Sequence, residues 1–304
     1  MARGYLPILL TVAAIWGASF MFIDVAVREM EPSVVMLLRL LLVVLALGPV
    51  LLFQEGVRTG LADLRDAGWG LALLGLTNAA LPFTLIAWGQ THINSSIAAI
   101  ANAPVPIFVA LLAIRFKPEE RVRGLRLVGI VLGFVGVGVL AGFNPDGGWW
   151  AIAGTLAATA ASLSYAVSNL FAQGRYSDTQ PLVIVTGSSL AGALMLVPLA
   201  AFQLPGDVPS AKALASVAAL GILGTAIALI LYFRMLAVHG ASRSSLVTYL
   251  VPLSALFYGA VLLNEPIHLN AVAGLVLILG GIALGSGVLR VARRREVVPA
   301  APHP

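Results

Sequence analysis

The stretch SVVMLLRLLLVVLALGPVLLF at residues 33–53 decides the fold of this chain, because it runs for a full membrane thickness with a single charged residue. About 20 consecutive apolar residues form a helix that crosses the ~30 Å hydrocarbon core of a bilayer. Across the chain, 60% of residues are hydrophobic and 10% are charged, and the mean hydropathy is +0.98. A soluble domain carries roughly 25% charged residues. The sequence therefore predicts an all-α integral membrane protein.

Apolar runs like this one recur along the whole chain and are separated by short connections. We predict ten transmembrane helices, at residues 5–27, 33–53, 68–89, 94–114, 125–142, 149–173, 181–203, 213–236, 242–262 and 269–289. The chain has no cysteine, which excludes disulfides and thiolate metal ligands. We expect neither a metal site nor a cofactor.

The lysine and arginine residues are distributed unequally between the two sides of the membrane. If the N-terminus is cytoplasmic, fifteen of the 18 fall in inside segments, and only Arg28 and Lys212 fall outside, with Arg39 within a span. Positive charge concentrates on the cytoplasmic side of membrane proteins. We therefore expect a multi-pass protein of the cell inner membrane with both termini cytoplasmic. The same bias explains the net charge of +5 without a nucleic-acid partner, and it makes residues 291–304 a basic, disordered cytoplasmic tail.

The two halves of the chain are related by a shift of 148 residues. The shift places Trp16 on Ser164, Ser96 on Ser244, Pro104 on Pro252 and Pro118 on Pro266. Each half contains five spans, and because five is odd the second copy must be inverted relative to the first. We therefore predict two inverted five-helix repeats, at 1–144 and 145–290. Inverted repeats of this kind are typical of transporters that work by alternating access.

Several segments resemble one known family. AIWGASFMFIDVAV at 14–27 and EPSVVMLLRLLL at 31–42 resemble the first hairpin of EamA-type proteins of the drug/metabolite transporter superfamily. INSSIAAIANAPVPIFVALL at 93–112 and ASRSSLVTYLVPLSALFYGAVLLNEPI at 241–267 resemble its fourth and ninth helices. The resemblance implies ten helices, a central cavity between the halves, and export of an amino acid or another small metabolite. We expect spans one, three, four, six, eight and nine to line that cavity.

Two other functions deserve comparison with solute export. A flippase for a lipid or lipid-linked substrate would use the same fold. An intramembrane enzyme would need a base near Ser19, but His239 lies in an inner connection, whereas Ser19 lies about 20 Å into its span. Catalysis needs a contact of about 3 Å, so we expect no enzyme and no catalytic residue. The expected partners are a small-molecule substrate and the lipid bilayer, with the protein a monomer or a homodimer.

Polar, aromatic and proline residues inside the spans are the candidates for the cavity. Mid-span prolines expose a backbone carbonyl, which is tolerated in a membrane only against protein or a water-filled cavity. Each candidate could instead serve helix packing through a kink or an interhelical hydrogen bond. The candidate substrate-binding residues are Trp16, Ser19, Asn78, Asn102, Pro104, Ser164, Thr248, Tyr249 and Pro252.

Arg39 is the most costly residue in the sequence, because it places a charge inside span two. Two interpretations stay open. Asp24, near the outer end of span one, could pair with Arg39 and fasten the first hairpin. Alternatively, Arg39 could bind the carboxylate of a substrate.

Overall fold

The computed structural model describes residues 5–116, 124–142 and 148–285. Within these ranges the chain forms helices and their connections, with no strand. The predicted tail at 291–304 and Pro118 lie outside them.

In its described part, the first half contains eight α-helices and one π-helical turn. They are α1 Tyr5–Val27, α2 Pro32–Glu55, α3 Val57–Ala67, α4 Trp69–Leu74, the π-helical turn π1 Gly75–Ala80, α5 Leu81–Gln90, α6 Ser95–Ala101, α7 Val105–Phe116 and α8 Leu125–Gly142. Between residues 148 and 285, the second half contains seven α-helices and a second π-helical turn. They are α9 Gly148–Arg175, α10 Pro181–Ala201, α11 Ala211–Gly221, π2 Ile222–Ile227, α12 Ala228–His239, α13 Ala241–Ser244, α14 Val247–Leu262 and α15 Leu269–Gly285.

These helices account for the ten apolar runs of the sequence. Seven helical segments are long and apolar enough to cross a membrane, and three shorter apolar helices occupy the remaining positions, Leu127–Ala141, Val247–Leu262 and Leu269–Leu284. Spans three and eight each join two α-helices through a π-helical turn. The prediction of an all-helical membrane protein with ten spans is confirmed.

Span four is broken rather than kinked. A packing kink was one of the two open interpretations of Pro104, beside a place in the cavity, whereas the structure ends α6 at Ala101 and begins α7 at Val105. The reason is that Pro104 and Pro106 together remove two backbone N–H donors within one turn. Pro252 does lie inside a continuous helix, α14, as expected.

The two halves interlock through their first helices. α1 packs against α14 of the second half, so closely that a Cβ on Gly17 would lie 2.9 Å from the backbone nitrogen of Ala255. α9 packs against α5 of the first half, where a Cβ on Gly154 would lie 2.9 Å from the carbonyl oxygen of Gly89. Each half therefore completes its core with a helix of the other.

Glycines hold spans five and ten together. A Cβ on Gly281 of α15 would lie 2.6 Å from both the carbonyl oxygen of Gly129 and the amide nitrogen of Gly133 in α8. A Cβ on Gly136 would lie 2.9 Å from the backbone nitrogen of Ile278. Small residues allow this approach in membranes, where close packing rather than exclusion from water drives helix association. These glycines therefore place the two helices in close backbone contact within the chain.

The α8–α15 contact makes a matched pair of glycine substitutions informative. The added methyl group of Gly281→Ala would push the backbone of α15 away from that of α8. We expect this substitution to lower the free energy of unfolding in detergent by about 1–3 kcal/mol. Gly138→Ala is the control, because a Cβ there meets nothing within 4 Å, and we expect a change within about 0.5 kcal/mol. Equal effects of the two substitutions in a denaturant titration would contradict the packing described for this pair.

Candidate functional site at two π-helical turns

The two π-helical turns occupy equivalent places in the two halves. Under the 148-residue shift, Thr77 of π1 corresponds to Thr225 of π2. A π-helical turn inserts an extra residue into a helix and interrupts its regular hydrogen bonds, and such turns are frequent at functional sites. Their recurrence at one position of a duplicated fold marks this level of the membrane as the candidate site.

The sequence explains the first turn through Pro82. The N–H of Leu81 bonds to the carbonyl of Leu76, five residues back. The next residue, Pro82, has no N–H to offer the carbonyl of Thr77. The hydroxyl of Ser164, on α9 of the other half, donates to this carbonyl at 2.7 Å. A buried backbone acceptor that the helix releases is thus satisfied from across the interface between the halves.

The second turn is satisfied differently. The hydroxyl of Thr225 donates to the carbonyl of Leu220 at 3.0 Å, within its own helix. The same hydroxyl accepts a hydrogen bond from Nε of Arg39 at 2.9 Å. Ser19 of α1 lies against the turn, since a Cβ on Gly224 would be 2.6 Å from its Oγ. One hydroxyl therefore joins the turn of the second half to a cation of the first.

Arg39 does not form the ion pair with Asp24 that we considered, so that prediction was wrong. Asp24 accepts a hydrogen bond from Arg28 at 2.5 Å, because the two side chains lie one turn apart on the same face of α1. The Arg39 guanidinium instead lies 3.7 Å from the centre of the Phe83 ring. Arg39 is 7% exposed, and no carboxylate contacts it among the described residues.

Two half-buried rings complete the surroundings of Arg39. Phe83 of α5 and Tyr165 of α9 meet edge to face with their centres 6.4 Å apart. Tyr165 lies near Arg39, and its neighbour Ser164 is the residue that satisfies π1. Arg39 therefore contacts the turn π2 through Thr225 and lies beside side chains from spans three and six.

Asn102 and Pro104 lie at the break in span four. The carbonyl of Asn102 would normally accept from residue 106, but Pro106 has no N–H. The hydroxyl of Ser162 donates to this carbonyl at 2.8 Å and lies 3.2 Å from the amide oxygen of the same residue. This contact supports the packing interpretation of Asn102. Pro104 itself is buried.

The other predicted residues fall into two groups. Ser19 and Ser164 touch the π-helical turns, and Asn78 lies half-buried within π1. Trp16 instead packs on Tyr232, with ring centres 5.2 Å apart, in an apolar cluster with Val12, Met235 and Val247.

The three candidates on α14 contact their own segment or the apolar core. Thr248 donates to the carbonyl of Ser245 at 2.7 Å within its own segment. Tyr249 is partly buried against the main apolar core, and Pro252 is buried within the same helix.

Sequence reasoning missed Thr77, Phe83, Tyr165 and Thr225. One signal was available, because the 148-residue shift aligns the two threonines as it aligns the prolines. Pro82 in span three was a second signal, since a mid-span proline predicts a released carbonyl. The sequence did not indicate a role for Phe83 and Tyr165, because aromatic residues within a span usually serve helix packing.

Hydrogen bonds also join the two halves at both ends of the bundle. At the end that holds the 28–31 connection, which we call the outer end, Glu265 accepts from the backbone N–H groups of Ser95 and Ser96, at 2.8 and 3.1 Å, and from the Ser96 hydroxyl at 2.5 Å. At the opposite, inner end, the Tyr5 hydroxyl donates to the carbonyl of Arg243 at 2.9 Å.

A second outer contact links the 28–31 connection to the start of α11. The backbone N–H and hydroxyl of Ser210 both donate to the carboxylate of Glu29, at 2.6 Å each. These bonds lower the pKa of Glu29 below its ordinary value. The contact is therefore present above the pKa of Glu29 in the unfolded chain and weakens as the pH falls through the lowered value.

Ser19 and His239 are not brought together. The Ser19 hydroxyl donates to the carbonyl of Ile15 at 3.0 Å, and the His239 ring packs edge-on against Tyr5, 5.1 Å away. Tyr5 begins α1, fourteen residues or about 21 Å before Ser19. A serine–histidine pair is therefore not formed by these residues.

Taken together, the ten spans, the paired π-helical turns and the buried polar site define a duplicated membrane transporter fold. The model of the EamA-like transporter family matches the chain twice, at residues 3–142 and 152–287. The chain therefore belongs to the EamA-like transporter family. It is a multi-pass membrane protein.

Relatives with descriptive names extend over most of the chain. A "Probable amino-acid metabolite efflux pump" of Escherichia coli (strain K12) is 28% identical over 92% of this chain and 94% of its own. A "Probable terminal-alkyne amino-acid exporter" of Streptantibioticus cattleyicolor is 30% identical over 74% of this chain and 75% of its own. An "Uncharacterized transporter" of Archaeoglobus fulgidus is 27% identical over 88% and 93%.

A solved crystal structure shares the fold. It aligns with a TM-score of 0.65 at 22% sequence identity, over 98% of this chain and all of that one. At this identity the likeness establishes the architecture alone.

The break in span four makes a prediction about Ser162. We expect Ser162→Ala to lower the free energy of unfolding in detergent by about 0.6 to 1.7 kcal/mol, the range of interhelical hydrogen bonds in membranes. Pro106→Ala restores an N–H for the carbonyl of Asn102, so the cost of Ser162→Ala should shrink in that background. The cycle is measured by denaturant titration of the four proteins.

Ser188→Ala is the control for this cycle, because the Ser188 hydroxyl donates to Val185 within its own helix. We expect its effect to be the same with and without Pro106. If Ser162→Ala costs as much in the Pro106→Ala background as in the wild type, Ser162 does not substitute for the missing N–H.

Proposed function

We propose that this protein exports a small metabolite, such as an amino acid or a related compound, across the cell inner membrane by alternating access. The observation that carries the proposal is the pair of π-helical turns, which face a buried polar site and are each bonded by a side chain of the other half. The printed names of two relatives, an amino-acid metabolite efflux pump and an amino-acid exporter, support the class of solute.

The chemistry of the site suits a small polar organic solute. It combines one cation, the hydroxyls of Ser19 and Thr225, and the faces of Phe83 and Tyr165. Hydroxyls and a guanidinium fix the orientation of polar groups, and aromatic rings accept an apolar side chain. Of the residues predicted from sequence, Ser19, Asn78 and Ser164 are proposed to touch the solute.

The remaining predicted residues have a proposed supporting role. Asn102 and Pro104 shape the break in span four, and Trp16 fills the space between α1 and α12. Thr248, Tyr249 and Pro252 would line the cavity on α14 once the halves separate.

The contacts at the two ends of the bundle suit a rocking mechanism. Glu265 at the outer end and Tyr5 at the inner end each bond across the halves. Breaking one set while keeping the other would expose the buried site to one side at a time. Two similar bundles related by inversion have two such openings, which is what alternating access requires.

The proposal includes a location and an organisation for the chain. The distribution of lysine and arginine supports insertion in the inner membrane with both termini cytoplasmic. The repeats are assigned to 1–144 and 145–290. A small-molecule substrate and the bilayer are the proposed partners, nucleic acid is not, and a monomer or a homodimer would serve. Enzymatic activity is not part of the proposal, since the Ser19 hydroxyl donates to the carbonyl of Ile15 and His239 packs against Tyr5.

Transport is tested by counterflow in proteoliposomes. We expect the purified protein to exchange at least one labelled amino acid from a panel saturably, above empty liposomes, with and without a pH gradient. Gly224→Ala should lower this exchange severalfold, because its Cβ would crowd Ser19 at π2. Gly138→Ala, on an open helix surface, is the matched control and should transport normally.

The same vesicles distinguish solute export from lipid movement. A fluorescent lipid placed in one leaflet should redistribute no faster with the protein than without it. Redistribution of the lipid without exchange of any solute would overturn the proposal in favour of a flippase.

A further inference from the structure

Arg39 has an unusual environment for a buried cation. It lies seven residues into α2, about 10 Å from the outer end of the span, and is 7% exposed. Charged side chains at such depth are expensive and are usually paired with an opposite charge. Here the carboxylate of Asp24 is engaged by Arg28, and no other carboxylate meets Arg39 in the described part of the chain.

The groups that do contact Arg39 are neutral. The Thr225 hydroxyl accepts a hydrogen bond from Nε of Arg39, and the Phe83 ring covers one face of the guanidinium. Both contacts fix the plane of the side chain and leave its charge uncompensated. The two terminal Nη groups hold four of the five N–H donors, and they form no hydrogen bond with any described residue.

A fixed guanidinium plane with free Nη donors matches one kind of ligand particularly well. Arginine binds carboxylates through two parallel N–H···O bonds. A guanidinium that is held by a hydrogen bond at Nε and by a ring against its face is already oriented to form these bonds before the ligand arrives. In a site shielded from water, such a contact is much stronger than it would be in solution.

We infer that Arg39 binds the carboxylate of the transported solute and restricts the protein to monocarboxylates such as α-amino acids. The inference rests on the proposed transport function and names the group that the site recognises. Thr225 and Phe83 are positioning residues, which hold the guanidinium. The near-complete burial of Arg39 means that the solute reaches it only when the two halves move apart.

The side chains around Arg39 suit a zwitterion that has an apolar side chain. The half-buried rings of Phe83 and Tyr165 lie beside the guanidinium and provide an apolar surface. The hydroxyls of Ser19 and Ser164 lie against the two π-helical turns. A carboxylate on Arg39 would thus leave the rest of a small amino acid between aromatic and hydroxyl groups.

The test compares each amino acid with its uncharged amide as a competitor. In the wild type, we expect the acid to inhibit counterflow about 100-fold better than the amide, because an analogue that lacks the recognised group leaves buried polar groups unpaired. In Arg39→Gln the preference should fall below about tenfold, mainly through weaker binding of the acid. Arg39→Lys keeps the charge without the fork and should recover part of it.

Ligand-induced shifts of the melting temperature in detergent give a second readout that does not need transport. The acid should raise the melting temperature of the wild type and not that of Arg39→Gln, whereas the amide should raise neither. A preference for the acid that is unchanged in Arg39→Gln would overturn the inference while leaving the transport function intact. Absence of counterflow and of any thermal shift in the wild type would overturn the transport proposal, and the inference with it.

A further pair of variants decides the matter if Arg39 substitutions prevent insertion or folding. Thr225→Val keeps the cation but removes the acceptor of Nε, and we expect it to weaken binding of the acid severalfold while leaving the amide unaffected. Thr159→Val is its control, since the Thr159 hydroxyl donates to Thr155 within α9, and it should change neither. Equal effects of Thr225→Val on acid and amide would contradict a role for Arg39 in binding the carboxylate.

Discussion

Every backbone carbonyl released inside a membrane must find a donor within the protein, and this requirement organises the structure. Proline releases two carbonyls of the first half, that of Thr77 ahead of Pro82 and that of Asn102 ahead of Pro106. Ser164 and Ser162, two residues apart on α9, bond to them. In the described structure, a helix of the second half therefore satisfies the irregular backbone of the first half.

The two halves satisfy the same requirement unequally, and the inequality creates the polar site. In the second half, Thr225 bonds the carbonyl released by its own π-helical turn, so its oxygen stays available to accept from Arg39. The duplicated fold thus supplies two equivalent irregular turns, but only one of them holds a cation. We propose that this framework tilts in two directions around a site that prefers a carboxylate.

The sequence predicted some features of this arrangement and not others. The ten spans followed from composition and length, because a bilayer demands continuous apolar runs. The predicted ion pair between Asp24 and Arg39 is not formed, because Asp24 pairs with Arg28, four residues further along the chain.

The two prolines of span four, Pro104 and Pro106, were visible in the sequence, but the extent of the interruption between Ala101 and Val105 was not. The partners of Arg39 lie on spans three, six and eight, and their proximity depends on packing between distant segments, which no local pattern records. Thr77 and Thr225 were within reach of the repeat analysis, whereas Phe83 and Tyr165 were not.

The central claim is that the two halves move against each other around the polar site. The chain has no cysteine, so pairs of spin labels can be placed at its exposed ends, one pair at Glu31 and Lys212 on the outer end and one at Arg58 and Arg243 on the inner end. Distances measured by pulsed electron resonance in liposomes, with and without a transported amino acid, test the claim directly. We expect the distance between the labels at one end to grow as the distance at the other end shrinks. Two distances that stay fixed, or that change in the same direction, would contradict it.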